Sequence, residues 1–159
     1  MMRRMYARDT VRIATPIGWV AVAGTDEAVE RVAIGDEGPL ARASAAAVAR
    51  AAEQLEAFFA GERRDFDVAV APAKTPRGQA LRDAILAVGY AETLSYGDLA
   101  RRAASSPRAV GQACARNPLP LLVPCHRVLA TGGLGHYSAG DGLSTKQWLL
   151  AHERRHGSL

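Results

Sequence analysis

The sequence predicts an α/β N-terminal domain, a small antiparallel sheet plus a helix, followed by a mainly α C-terminal domain with a helix-turn-helix. Three observations carry this prediction. "TVRIATPIGWVAVA" (Thr10–Ala23) reads as strand, turn and strand. An Ala-rich stretch with apolar residues at helical spacing follows it. In the second half, two short helical stretches meet at a Ser/Pro turn. "APAKTP" (Ala71–Pro76) reads as the linker and gives domains over 1–72 and 73–159.

Within the first half, Pro16-Ile17-Gly18 supplies the hairpin turn, and Glu30–Ile34 is a third short strand. "LARASAAAVARAAEQLEAFF" (Leu40–Phe59) is the helix, with Leu55, Phe58 and Phe59 apolar and Gly61 closing it. Phe66–Val70 reads as a further strand. No chemically active residues converge here, so this half reads as structural. In the second half, Gly78–Val88 is one helix. Ser95 is the N-cap of another over Tyr96–Ala103, with Asp98 completing a capping-box-like pattern. Ser105-Ser106-Pro107 breaks the chain and starts the next helix at Arg108, "RAVGQACAR", which ends at Asn117-Pro118. The two helices form a helix-turn-helix candidate.

Composition excludes several classes. Nearly half the residues are apolar, so the chain can bury a core. No run reaches the roughly 18 apolar residues of a membrane span. Arg3 and Arg4 are followed by no apolar core before Asp9, so no export signal is expected. Two cysteines and four scattered histidines give neither a disulfide framework nor a metal site, and a reducing cytoplasm fits best. Charge divides unevenly. Residues 1–72 hold nine Lys/Arg against eleven Asp/Glu, a net of −2, while residues 73–159 hold eleven against five, a net of +6. A basic excess confined to one half points to a polyanion partner.

The helix after Ser106 has an unusual composition for a groove reader. Ala109, Val110, Gly111, Ala113, Cys114 and Ala115 offer almost no hydrogen-bonding side chains. Small residues cannot read base edges, yet they let a helix backbone approach a narrow groove. Arg108 could then enter a duplex while Arg101, Arg102 and Arg116 meet phosphates, which suggests minor-groove binding with little sequence preference. The competing reading is an Ala-rich helix packed in a core.

"LPLLVPCHRVLATGG" (Leu119–Gly133) places Cys125 between a proline and His126-Arg127. A buried strand ending in Pro-Cys can be core packing. A thiol is a nucleophile only as thiolate, and adjacent cations or a histidine base favour that form.

Together, "RAVGQACARNPLPLLVPCHRV" and "GHYSAGDGLSTKQWLLAHE" closely resemble the O6-alkylguanine-DNA alkyltransferases (methylated-DNA–protein-cysteine methyltransferases). The clear match covers Thr93–Glu153. Thr15-Pro16-Ile17-Gly18 and "LEAFFAGERRDFDV" also resemble that family's N-terminal domain. The resemblance implies a ribonuclease-H-like first domain and a winged-helix-like second one. It implies direct reversal of DNA damage in a single-turnover reaction on O6-alkylguanine, with O4-alkylthymine a further candidate. Cys125 would be the alkyl acceptor, His126 would take its proton through a water, Glu153 would orient the imidazole, and Asn117 would tie the helix end to the active-site turn. Arg108 would fill the place of a flipped nucleotide. Tyr96 would contact the extruded base or crowd its phosphate, Tyr137 and Ser138 would line the pocket, and backbone groups of Cys125 and Val128 would meet the guanine edge. Ala109, Arg101, Arg102 and Arg116 would contact DNA. Arg127 would be structural and Cys114 packing, with no second thiol near Cys125. The implied partner is double-stranded DNA carrying O6-alkylguanine, bound from the minor groove by a monomer, with no cofactor and no membrane. The sequence departs from the family in a shorter turn before Arg108, a longer "SAGDGLST" (Ser138–Thr145), and His136 where Gly or Asn is usual. Two rivals follow: an alkyltransferase-like protein that binds damage without transfer, and an unrelated thiol hydrolase.

Overall fold

The computed structural model describes residues 9–35, 37–38 and 45–157. Contacts divide the chain after Ala71 into two compact units.

In the first unit, β1 (Asp9–Thr15), β2 (Gly18–Gly24) and β3 (Val29–Ile34) form an antiparallel sheet in that order. The tight turn sets the register: Thr15 pairs with Gly18, and Gly18 takes φ +100°, which a side chain would resist. The Thr15 hydroxyl accepts from the Ile17 N–H at 3.1 Å and donates to the Gly18 carbonyl at 2.6 Å. Val11, Ile13, Val20, Val22 and Val32 are buried. Against the sheet packs α1 (Ala46–Phe59), burying Val48, Ala51, Leu55 and Phe58 at helical spacing. The expected helix start over Leu40–Ser44 lies outside the described residues.

The strand expected over Phe66–Val70 is not one. Only Val70 bridges, in parallel, to Val29. The neighbouring backbone is held by side chains of α1 instead. Gln54 accepts from the Asp67 N–H at 2.9 Å, and Arg50 donates to the Asp67 carbonyl at 2.7 Å. Backbone pairing is confined to Val29, which donates to the Ala69 carbonyl at 2.9 Å and accepts from Ala71 N–H at 2.7 Å.

The second unit begins with α2 (Pro76–Leu86), whose N-cap Thr75 accepts from the Gly78 N–H at 3.0 Å and whose first position is proline. Two capped helices follow β4 (Leu94–Ser95). Ser95 caps α3 (Tyr96–Arg102) by accepting from Asp98 N–H at 3.0 Å, and the Asp98 carboxylate is engaged by Arg101. Ser106 caps α4 (Pro107–Ala115), accepting from Ala109 N–H at 3.1 Å. The turn between α3 and α4 places Ala104 at φ +52°, and the helices pack through buried Leu99 and Val110. A single 3₁₀ turn over Cys125–Arg127 leads directly into β5 (Val128–Leu129). That strand pairs in parallel with β4, Leu94 opposite Val128. The last helix, α5 (Leu143–Gly157), buries Lys146, Leu149, His152 and Glu153. No described helix is long and apolar enough to cross a membrane.

The β4–β5 pairing is what positions the site. It sets the start of α3, and so Tyr96, beside the turn that carries Cys125.

Candidate active site

Leu119, Leu121, Leu122 and Val123 are all buried, which anchors the chain leading to Cys125. This segment is not the strand that its apolar run suggests. It is a tight loop: Val123 N–H donates to the Leu119 carbonyl at 2.8 Å and Leu121 sits at φ +77°. Asn117 organises the loop with both ends of its amide. Its Oδ1 accepts from Leu119 N–H at 3.0 Å, while Nδ2 donates to the Val123 carbonyl at 3.0 Å and to Cys125 Sγ at 3.3 Å.

Cys125 is 5% exposed. Burial pushes its thiol above the ordinary range, opposed by the Asn117 bond and the charge of Lys146. The resting group is therefore a thiol, and attack by sulfur requires a base. His126 follows directly. Its Nε2 lies 2.7 Å from Glu153 Oε2. Glu153 also takes two bonds from Arg127, Nε to Oε1 and Nη2 to Oε2, both at 2.9 Å. Ala91 N–H adds a further donor to Oε1 at 3.1 Å, presented by a left-handed residue at φ +63°. The remaining Arg127 nitrogen donates to the Val88 carbonyl at 2.8 Å. Arg127 thus has the structural role expected for it.

The electrostatics assign the protons. Burial alone would raise Glu153, but its bonds to His126 and Arg127 and their charges win, holding it at about 2. Burial holds His126 below its usual range, with Glu153 pulling it part of the way back. A neutral imidazole beside a carboxylate donates from Nε2, so Nδ1 carries the lone pair. That Nδ1 is buried and has no hydrogen-bond partner.

A pocket of about 740 Å³ opens over the thiol. Cys125 shares its wall with Tyr96, Tyr137 and Ser138, and with Arg108 and Gly111 from α4. Ser138 Oγ donates to the Ala115 carbonyl at 3.1 Å, tying this loop to the end of α4. Tyr96 accepts at its hydroxyl from His136 N–H at 3.4 Å. A Cβ on Gly135, at φ +77°, would come within 2.8 Å of the Tyr96 ring, so this position requires glycine. The Val128 carbonyl accepts from Lys146 Nζ at 2.7 Å. Arg102 and Arg116 are exposed away from this pocket, Ala109 is half-buried on α4, and Arg101 lines a separate groove of about 500 Å³ with Thr93 and Thr131.

Two residues were not foreseen in these positions. Cys114 was expected to be packing remote from Cys125. It lines the same pocket, with its thiol pushed up to about 12 by burial and then by Cys125. Helical spacing is the cause, since Arg108, Gly111 and Cys114 lie on one face of α4. Lys146 stood in the sequence only as part of a motif. It is fully buried and its ammonium donates to three carbonyls, Val128 at 2.7 Å, Leu134 at 2.6 Å and His136 at 3.1 Å. A lone lysine in an amphipathic helix gives no sign of such a role.

Comparison with known proteins agrees with this geometry. Residues 76–155 match the family model described as 6-O-methylguanine DNA methyltransferase, DNA binding domain. The methylated-DNA–protein-cysteine methyltransferase of Mycolicibacterium paratuberculosis is 39% identical over 158 residues, covering 91% of each chain. The constitutive enzyme of that name from Bacillus subtilis is 42% identical over 67% of this chain and 66% of its own. Among solved structures, Mycobacterium tuberculosis O6-methylguanine methyltransferase superposes with a TM-score of 0.82 at 31% identity over 94% of both chains. The M. tuberculosis OGT in complex with DNA gives 0.80 at 33% identity, covering 92% of this chain and 93% of that one. Likeness at this level over nearly the whole length reaches well beyond a shared helix-turn-helix, and the chain belongs to the methylated-DNA–protein-cysteine methyltransferase family.

Proposed function

We propose that this methyltransferase repairs duplex DNA by moving the alkyl group of O6-alkylguanine onto Cys125 in one displacement. Sulfur attacks the alkyl carbon, the carbon–O6 bond breaks, and the bond's electron pair stays on the purine, which takes up a proton. The Cys125 proton passes through a water to His126 Nδ1. The observation that carries this reading is the pairing of a buried, protonated thiol with a neighbouring imidazole whose Nε2 is committed to Glu153 and whose Nδ1 is open. A thioether carbon is not displaced by water, so transfer is stoichiometric. Cys114, with its thiol near 12, stays protonated at neutral pH and offers no route to regenerate Cys125.

A base stacked in a duplex cannot reach a 5% exposed sulfur, so the nucleotide flips into the pocket, at a cost of a few kcal/mol. Arg108, at the start of α4 and on the pocket rim, fills the vacated stack. The small residues Ala109, Gly111 and Ala113 let α4 lie close in the minor groove, while Arg101, Arg102 and Arg116 meet phosphates. Tyr96, Tyr137, Ser138 and the Val128 backbone hold the base, and Asn117 fixes the loop beneath it. O4-alkylthymine presents a similar alkyl ether to the same thiol. The same likeness supports a ribonuclease-H-like first unit and a winged-helix-like second unit, acting as a monomer in a reducing cytoplasm where both thiols persist. Mass spectrometry after incubation with an O6-methylguanine duplex tests the reading. One methyl group on the Cys125 peptide, absent from Cys125→Ser although that variant still binds DNA, is expected. An unmodified wild-type Cys125 would show damage binding without transfer, and repeated turnovers per molecule would exclude the mechanism.

A further inference from the structure

Val110 is the buried residue of α4, and it packs towards Leu99 of α3. An α-helix turns through more than half a circle in two residues, so Arg108 and Gln112 both point away from that contact. Both are exposed, and both line the mouth of the pocket over Cys125, on one face of the helix with Gly111 and Ala115. The proposed transfer gives Arg108 a role and Gln112 none. The Gln112 carbonyl accepts from Arg116 N–H at 3.0 Å, but no hydrogen bond among the described residues engages its side-chain amide. From Ala109 to Ala115 it is the only side chain that combines a strong donor with a strong acceptor.

We propose that Gln112 reads the minor-groove edge of a base pair next to the lesion and makes binding stronger when that pair contains guanine. This rests on the reading in which α4 lies in the minor groove and Arg108 fills the vacated stack, and it adds a specificity-determining residue to that site. Residues four apart on a helix stand about 5–6 Å from each other. With Arg108 in the stack, where bases follow one another every 3.4 Å or so, Gln112 therefore lies over a neighbouring pair. In the minor groove an A·T pair shows only acceptors, adenine N3 and thymine O2, whereas a G·C pair adds the guanine N2 amino donor. Nε2 of Gln112 can donate to an acceptor of either pair. Oε1 finds a donor only on guanine, and against A·T it gives up water without replacement. The preference is one hydrogen bond wide.

Cys125→Ser stops the complex short of transfer, so affinity is measured in that background by fluorescence anisotropy at fixed salt. The duplexes carry one O6-methylguanine and, in each neighbouring pair in turn, guanine or inosine opposite cytosine. Inosine differs from guanine only in lacking the N2 amino group. At one neighbouring position, the ratio of guanine to inosine affinities should be about fivefold larger with Gln112 than with Gln112→Ala, the worth of one hydrogen bond. Comparing the ratio between the two proteins removes whatever inosine does to the duplex itself. Gln112→Ala should fold as stably as its parent, since the side chain is exposed and alanine is the better helix former. With Cys125 intact and protein limiting, single-turnover methyl transfer should show the same ratio. A ratio that Gln112→Ala leaves unchanged at every neighbouring position overturns the inference, and so does a preference for inosine that needs Gln112. If the chain with Cys125 intact is not methylated by any of these duplexes, the proposed function fails and this inference with it. Methylation at a rate indifferent to the neighbouring pair overturns the inference alone.

Discussion

At the scale of single residues, Glu153 concentrates more interaction than any other side chain of the site: it meets His126, Arg127 and the Ala91 N–H with no exposed surface. Glu153→Gln would leave the Arg127 guanidinium buried against a neutral amide, and breaking a buried pair in this way costs about 3–5 kcal/mol. Chemical denaturation should show that loss, and transfer should fall as the imidazole loses its orienting carboxylate. The pH dependence has a definite sign. Glu153 titrates at about 2 in the folded chain against 4.5 unfolded, so its contribution is complete above 4.5 and fades as pH falls towards 2. His126, held below 6.5 by burial, works in the same direction: the unfolded chain takes up its proton first, so stability declines as pH falls below 6.5. Urea midpoints measured from pH 7 downwards should decline in the wild type, and the segment below 4.5 should flatten in Glu153→Gln. Lys146→Met keeps the length of the side chain but abandons three carbonyls. Hydrogen exchange across 128–137 should quicken, with a stability loss of roughly 1–3 kcal/mol or more.

Among the elements, α4 makes the clearest test, because folding alone does not explain its composition. A Cβ added at Gly111 meets nothing within 4 Å, and glycine inside a helix is about 1 kcal/mol worse than alanine. Gly111→Ala should therefore melt higher than the wild type. If the helix lies against a groove, the same variant should bind duplex DNA more weakly. Unchanged affinity would separate α4 from the nucleic acid. The helix starts after Ser95 and Ser106 were legible in the sequence because they rest on local chemistry, whereas the helix read as Gly78–Val88 begins two residues earlier, at Pro76 behind its cap Thr75, and ends at Leu86. Segments stabilised from a distance were not. Phe66–Val70 alternates like a strand, but the Asp67 backbone is taken by Gln54 and Arg50 on a helix, and pairing with the sheet is limited to the contact with Val29. Leu119–Val123 is apolar like a buried strand, but Asn117 folds it into a loop. Cys125, His126 and Glu153 could be named from the resemblance. Cys114 and Lys146 could not be placed, because their roles depend on which face of a helix meets the pocket.

At the scale of the molecule, charge is sorted between the halves, −2 in residues 1–72 against +6 in residues 73–159. The logarithm of duplex affinity should fall linearly with the logarithm of salt concentration, and each Arg101→Ala, Arg102→Ala or Arg116→Ala change that removes a phosphate contact should lower the steepness of that slope by about one. A slope that none of the three alters would move the DNA to another face. The order of residues along the chain adds a consequence for biosynthesis. The thiol is synthesised well before the carboxylate that orients its base, since Glu153 belongs to α5 and Cys125 to the turn that precedes β5. While the chain is still growing from the ribosome, Cys125 is an ordinary cysteine with no assembled relay behind it. Only docking of the last helix completes the His126–Glu153 pair, so the assembled relay exists only once α5 has been made and packed.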